Sequence, residues 1–550
     1  MRFVWKILAL VAALSLPVQA FALDLEPTTR DPAGRFSTPR GLTPGFTDNS
    51  RRLATTEFVQ ALASATVVSP YLSDTHCGAD QTDRINRLSA SLPAGAWLIF
   101  PRSGCIAISG TLLNVKQRWS GAGLVNGTEF RYSGATGTAI KLMGDGALFE
   151  HARVANNGFT SSSTGIVMSD ASENPTHQGV ENVYTTGFTT AINVESGYFW
   201  AIRNVWVRNY AKYGVLVRNG NYCDNGDSSI EHLITLNDFA PLDGSAGIRF
   251  QSGGGLKITN SKLLGSQYGV DLQLEPTCNM PGTGILLVSN TSIENQTVAA
   301  VRLGAAPGLA GASNPKIFGS ISISGNEIAG QPTAIRIDPG VYNVNVTGNV
   351  FNIHNYDVQV FGGENVYIGG NTHKNFNVAA IDLHDGGSNI VVGPAAYSPV
   401  SLSSHRVLDQ RLTDTGPVDR FEQRPLHLAA PPAQGYTPSA PGYVPAFQID
   451  MRPNRATRAT IQIEGTLQGV GTVSSYQDVL LTNTGLTATI TPTSPPVTAA
   501  NPIDLAYDTT TVPGSVIVQV RTNAPAGGNG FDGSISARVN GPAVGFKVLQ

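Results

Sequence analysis

Charge is scarce in this chain. Of its 550 residues, 36 are Lys or Arg and 39 are Asp or Glu, so 14% are charged and the formal net charge is −3. The usual charged share is about 25%. Without a basic excess the chain is a poor candidate for holding nucleic acid by phosphate neutralisation, and it lacks a polybasic patch for an anionic membrane surface. Methionine (5), tryptophan (5) and cysteine (4) are also few. The cysteine spacings match no metal motif, and no Gly-rich phosphate loop, zinc spacing or nucleophile elbow occurs. Neither a metal nor another cofactor is expected. Beyond the first 22 residues no apolar run is long enough to span a bilayer. Glycine, in contrast, numbers 60, and hydrophobic residues make up 41%. That balance suits a folded chain of many short strands and turns rather than a helical bundle.

The N-terminal stretch MRFVWKILALVAALSLPVQAFA (1–22) reads as an export signal. Arg2 and Lys6 supply a positive start, 7–16 is a short apolar stretch, and Ala20-Phe21-Ala22 is a small-x-small cleavage site. The mature protein is expected to be secreted, periplasmic or at the cell surface. In an oxidising compartment the even number of cysteines suggests two disulfides.

From about Gly179 to Gly393 one pattern returns. An alternating strand leads to a turn, often with Asn; a single apolar residue, a second alternating strand and a loop follow. The clearest copies are ISISGNEIAGQPTAIRI (321–337), VNVTGNVFNIHNYDVQV (344–360) and VYIGGNTHKNFNVAAIDL (366–383). Ile323, Val346 and Ile368 mark one position, at steps of 23 and 22 residues. Strands this short cannot bury their apolar faces within one repeat, so the copies must stack, with coils about 4.8 Å apart. The expected fold is all-β, a parallel β-helix. A propeller or sandwich would space its strands more evenly. Asn209, Asn237, Asn260, Asn290, Asn326, Asn349 and Asn371 each follow a first strand, and are expected to form a ladder of side-chain amides along the stack.

The pattern resembles the right-handed parallel β-helix of the pectate lyase superfamily, which includes polygalacturonases and phage tailspikes. GADQTDRINRLSASLPAGAWLIFPRSGCIAISGTL (78–112) is similar to that superfamily's opening: a Gly-x-Asp-x-Thr-Asp stretch, a capping helix, a strand ending in Phe-Pro and a return strand. Ile85, Leu88 and Leu92, at helical spacing, would cover the open end. Cys77 and Cys105 flank this cap, which favours their pairing. The likeness covers 74–395. Upstream, DNSRRLATTEFVQ (48–60) resembles a motif of phage tail-fibre proteins that precedes a receptor-binding or depolymerase part, making 23–73 a tail-fibre-like linker segment.

After Pro394 the composition shifts. The Pro-rich span 396–445 reads as a linker, and the alternating stretches within 446–550 as a small C-terminal β-sandwich for oligomerisation or carbohydrate binding. Tail-type β-helices are usually trimeric, so the resemblance implies a homotrimer.

Chemistry on such a fold would sit on its outward ladders. In the second strand the flanking apolar residues isolate one outward position: Asn193, Leu216, Arg249, Asp271, Arg302, Arg336, Gln359 and Asp382. The next outward position holds Glu195, Arg218, Gln251, Gln273, Asp338 and His384. Guanidinium forks and carboxylates there would meet sugar hydroxyls or uronate groups. Asp224, Asp227, Glu231, Arg249 and Asp271 are the catalytic candidates. Hydrolysis needs one protonated and one ionised carboxyl, whereas elimination needs a base and a cation beside the uronate. Glu195, Trp200, Trp206, Arg218 and Tyr222 are the substrate-binding candidates, the rings stacking on sugar faces. Cys223 and Cys278 lie in loops on one edge and would bridge. The Asn-Thr-Asp, Asp-Asp, Gly-His-Gly and Arg-Ile-Lys patterns of polygalacturonases, and the calcium-binding aspartates of pectate lyases, are absent from the expected coils. The sequence therefore points to a polysaccharide-degrading hydrolase or lyase, or else to a non-catalytic glycan-binding or structural protein.

Overall fold

The computed structural model describes residues 65–548 except 103, 125–126, 157–161, 170–174, 219–225, 239–241, 252–253, 275–284, 306–319, 385–386, 398–404, 410–418, 429–443, 451–454, 468–470, 485–486, 494–502, 510–514, 523–530 and 541–545. The export signal, the tail-fibre-like motif, Tyr222, Cys223, Asp224 and Cys278 lie outside the described residues.

The repeats stack as a parallel β-solenoid. In one coil, Ile321–Ser324 and Glu327–Ala329 belong to a first sheet and Thr333–Ile337 to a second. Period-two alternation drives this: Ile321 and Ile323 point inward and are fully buried, while Ser322 and Ser324 are partly exposed. Ile323 pairs in register with Val346, and Val346 with Ile368. The same inner column continues upward through Val288, Ile258, Ile230, Ile202, Val180, Phe149 and Trp119 to Leu98. These side chains share one hydrophobic core. Phe100, Phe130 and Phe149 pack tilted or edge-on near the N-terminal end.

The expected amide ladder is real but shorter. Asn326 donates from Nδ2 to Asn349 Oδ1 at 2.9 Å, and Asn349 to Asn371 Oδ1 at 3.1 Å. The backbone N–H groups of Asn326 and Asn349 donate to the same oxygens. Asn260 and Asn290 stand one position earlier, at φ of 51° and 49°, in the left-handed place that Gly325, Gly348 and Gly370 take in later coils. Their successors Ser261 and Thr291 carry the inward turn position, and Thr291 N–H donates to Asn326 Oδ1 at 3.0 Å. In higher coils that position is apolar: Ala152, Val183, Val205 and Leu233. Asn209 is also left-handed, at φ 54°, and belongs with Asn237 to the second turn of the coil. Asn is favoured both in the left-handed turn conformation and as a ladder amide, so residue type alone mixes the two roles.

A second polar thread runs inside the lower coils. Gln331 Nε2 donates to Ile293 O and to Gln296 Oε1, leaving Gln331 Oε1 to accept from His354 Nε2 at 2.8 Å. His354 Nδ1 and His373 Nδ1 lie 2.7 and 2.8 Å from the two oxygens of Asp357. All three are buried.

The tube begins before the expected boundary at 74, because Ala65–Val67 pairs with Trp97–Ile99. Helix Thr82–Ser91 buries Ile85 and Leu88 in the solenoid core and gives way to extended backbone at Leu92, ahead of Pro93. Cys77 and Cys105 are disulfide-bonded. Within the span read as a linker, Ala396–Tyr397, His405–Asp409 and Asp419–Leu428 are strands: the first two extend the parallel stacks, and the third pairs antiparallel with Phe531–Asn540. Pro425 sits inside that third strand, so proline content did not mark a break. Beyond it, Arg455–Leu467 pairs antiparallel with Gly471–Asn483, and Val444–Asp450 with Ser515–Thr522. Ile461, Leu481 and Val518 join the same core as the coils.

Candidate functional site

The second sheet carries the outward column read from the sequence. Asn193 registers with Leu216, Leu216 with Arg249, Arg249 with Asp271, Asp271 with Arg302, Arg302 with Arg336, Arg336 with Gln359, and Gln359 with Asp382. Each is flanked by inward apolar residues, as Ile335 and Ile337 flank Arg336, so alternation alone turns it outward.

These side chains are tied to one another. Asp271, fully buried, accepts from Arg302 Nε and Nη2 at 2.8 Å each, and from Arg249 in the preceding coil. Arg249 also donates to Gln273. Burial alone would weaken the hold of Arg302 on its proton, but the hydrogen bonds and charge of Asp271 outweigh this and raise it above the usual arginine value. Arg302 lies 3.9 Å from the Tyr268 ring centre and donates to its hydroxyl at 2.9 Å. Burial raises the Tyr268 phenol, with Arg302 pulling the other way. Toward the N-terminal end, Glu195 accepts from Asn193 at 2.9 Å and from Arg218 at 3.2 Å.

Toward the C-terminal end Arg336 and His384 are partly exposed, while Gln359 and Asp382 stay buried. Arg336 donates to Asp338 at 2.7 Å, and its guanidinium lies 4.5 Å from the Phe361 ring centre. Phe361 stacks on His384 at 4.3 Å with 18° between planes. His384 Nε2 meets Asp382 Oδ2 at 2.8 Å, and Gln359 donates to the same oxygen at 3.0 Å.

The structure divides the ten candidates. Arg249, Asp271, Glu195 and Arg218 share the second-sheet face. Glu231 lies on the first sheet, 3.7 Å from Arg203. Asp227 precedes the same strand, Ser228–Glu231, and its Oδ1 approaches Gly255 so closely that a Cβ there would lie 3.1 Å away. Asp227 itself takes a left-handed backbone conformation, at φ 51°. Trp206 is exposed on the outer face of the first sheet, beside Tyr184 and Ile234, and not on the charged column. Trp200 is only 2% exposed and belongs to the core, so its ring is not offered to a ligand. Residue type suggested both tryptophans, but only strand position separates them. Sequence reading placed Arg302, Arg336, Asp382 and His384 correctly without choosing them as site residues, and passed over Tyr268 and Phe361. Strand parity would have found Phe361, two positions after Gln359.

No family model matches the sequence, and no curated protein matches it significantly. Among solved structures, the chain is similar to a mutant tailspike protein of E. coli bacteriophage HK620 in complex with a pentasaccharide. That match has 11% identity and a TM-score of 0.43, covering 88% of this chain and 95% of that one. It is also similar to the tailspike protein of Acinetobacter baumannii phage AM24, at 11% identity and a TM-score of 0.34, covering 88% and 83%. A third is PfbA, a surface adhesin of Streptococcus pneumoniae, at 13% identity and a TM-score of 0.44, covering 62% and 93%.

Proposed function

We propose that this chain is an exported protein that engages a polysaccharide along the outward face of its second sheet. The observation that carries this reading is the column from Arg249 to His384, where polar and charged side chains stand on successive coils, with the Tyr268 ring against Arg302 and the Phe361 ring against Arg336. Coils recur about every 4.8 Å, close to the length of one sugar unit, so matching donors and acceptors would repeat in step with a glycan chain. Guanidinium forks suit hydroxyls and carboxylates, and the rings suit the apolar faces of sugars. Asp227 and Glu231 belong to the first sheet rather than to this column, so the reading does not use them as a hydrolytic pair.

Binding of the purified chain to a panel of acidic and neutral polysaccharides tests this. At least one acidic member should bind, and Phe361→Ala with Arg336→Ala should weaken it by about tenfold or more, the loss of a ring stack and a charged hydrogen bond. Binding of none, or binding untouched by that pair, overturns it. Export and a homotrimer belong to the same proposal. N-terminal sequencing of the secreted chain should begin after Ala20 or Ala22, and light scattering should give three copies.

A further inference from the structure

Near the C-terminal end of the column three coils bring together an arrangement that binding alone does not require. His384 offers Nε2 to Asp382, and Asp382 is itself buried and fixed by Gln359. A carboxylate accepting at Nε2 holds the proton on that nitrogen, leaving the lone pair on Nδ1. The His384 side chain is 27% exposed, so that lone pair is reachable. Phe361 stacks on the imidazole and fixes its plane, and the Arg336 guanidinium lies against Phe361 from the preceding coil. The cation is thus at most about 9 Å from the imidazole, the sum of two ring contacts. Among the described residues this face also carries Asp338, paired with Arg336, and Tyr356, whose phenol is raised by burial and by Asp382.

We propose that His384 is a catalytic base for eliminative cleavage of a carboxylate-bearing polysaccharide, with Asp382 as its positioning residue and Arg336 as the cation facing the sugar carboxylate. The inference rests on polysaccharide engagement by this face. His384 Nδ1 takes the proton from the ring carbon next to the carboxylate. The freed electron pair forms a double bond to the adjacent carbon as that carbon's bond to the glycosidic oxygen breaks. The proton then passes from Nδ1 to the departing oxygen. One unsaturated end and one ordinary end result, and no co-reactant is consumed. The guanidinium offsets the negative charge that builds on the carboxylate in the transition state.

The test incubates the full chain with polygalacturonate, alginate and hyaluronan, and with dextran as a neutral control, following binding and ultraviolet absorption of the unsaturated product separately. At least one acidic polymer should yield that product, and dextran none. His384→Gln should lower the rate about 100-fold or more while the acidic polymer still binds and the melting temperature stays near wild type. Asp382→Asn should lower kcat more than it changes KM and should displace the pH profile, an effect a purely structural role would not produce. Binding without unsaturated product, or undiminished activity in His384→Gln, overturns the base assignment and leaves the binding reading standing. Binding of none of the acidic polymers overturns both.

Discussion

Asp271 and Arg302 face each other across two adjacent coils through a two-pronged contact, both N–H···O distances being 2.8 Å, with the carboxylate fully buried. Arg249 adds a second guanidinium from the other side. Removing the carboxylate therefore strands two cations. Asp271→Asn should lower unfolding free energy by about 3–5 kcal/mol, whereas replacing Arg249, Asp271 and Arg302 together by apolar residues of similar volume should cost far less or nothing. Urea unfolding of both variants checks this; equal losses would contradict it.

The amide ladder gives a sharper local expectation. Asn349 is fully buried, donates to Ile323 O and Asn371 Oδ1, and accepts from Asn326. Asn349→Leu leaves several of these groups without partners, each costing about 1–3 kcal/mol. Asn290→Gly, at a left-handed position where glycine is at ease, should be nearly neutral. Thermal melts of the two variants should separate clearly, though both replace a turn asparagine.

Acid stability should depend on Asp80. Burial alone would raise its carboxyl, but donors from Ser109 and Thr82 outweigh that and hold it below its ordinary value of 3.8. A carboxyl lowered in the folded state stabilises above its unfolded value, and that contribution fades as pH falls through the folded one. Between pH 5 and pH 2, Asp80→Asn should flatten the loss of stability seen in the native chain. A parallel loss in both proteins would assign the acid sensitivity elsewhere.

The bridge between Cys77 and Cys105 closes a segment of sequence separation 28. Loop-closure entropy for that length corresponds to about 3–4 kcal/mol. Replacing both cysteines by serine should lower the denaturant midpoint without changing core registers below Leu98. Hydrogen exchange should report faster opening at Trp97–Ile99 and Cys105–Ile108 and little change at Ile321–Ser324.

The outward second-sheet column was legible residue by residue because apolar neighbours flank every one of its members, as Val270 and Leu272 flank Asp271. A period of two leaves no freedom about which side faces out. The turn was less legible. Asn260 and Asn326 look alike in sequence, yet one supplies a left-handed backbone and the other a ladder amide. Trp200 was misjudged for a related reason: an aromatic before a short strand carries no parity signal of its own, and it lies in the core. The thread through Gln331, His354, Asp357 and His373 was not foreseen, since polar residues in a buried column run against the alternation used to find the core. The strand Asp419–Leu428 was hidden by its neighbouring prolines.

The inward turn position changes character along the solenoid, from Ala152, Val183, Val205 and Leu233 through Ser261 and Thr291 to Asn326, Asn349 and Asn371. The coils are therefore not interchangeable parts. Excising one from the aliphatic half would bring together two surfaces of the same kind, and the seam could heal. Excising the two coils of Ser261 and Thr291 together would set the apolar Leu233 against the amide of Asn326, which takes its hydrogen bond from Thr291, so each half could be lengthened by coils of its own kind but the halves cannot be joined directly.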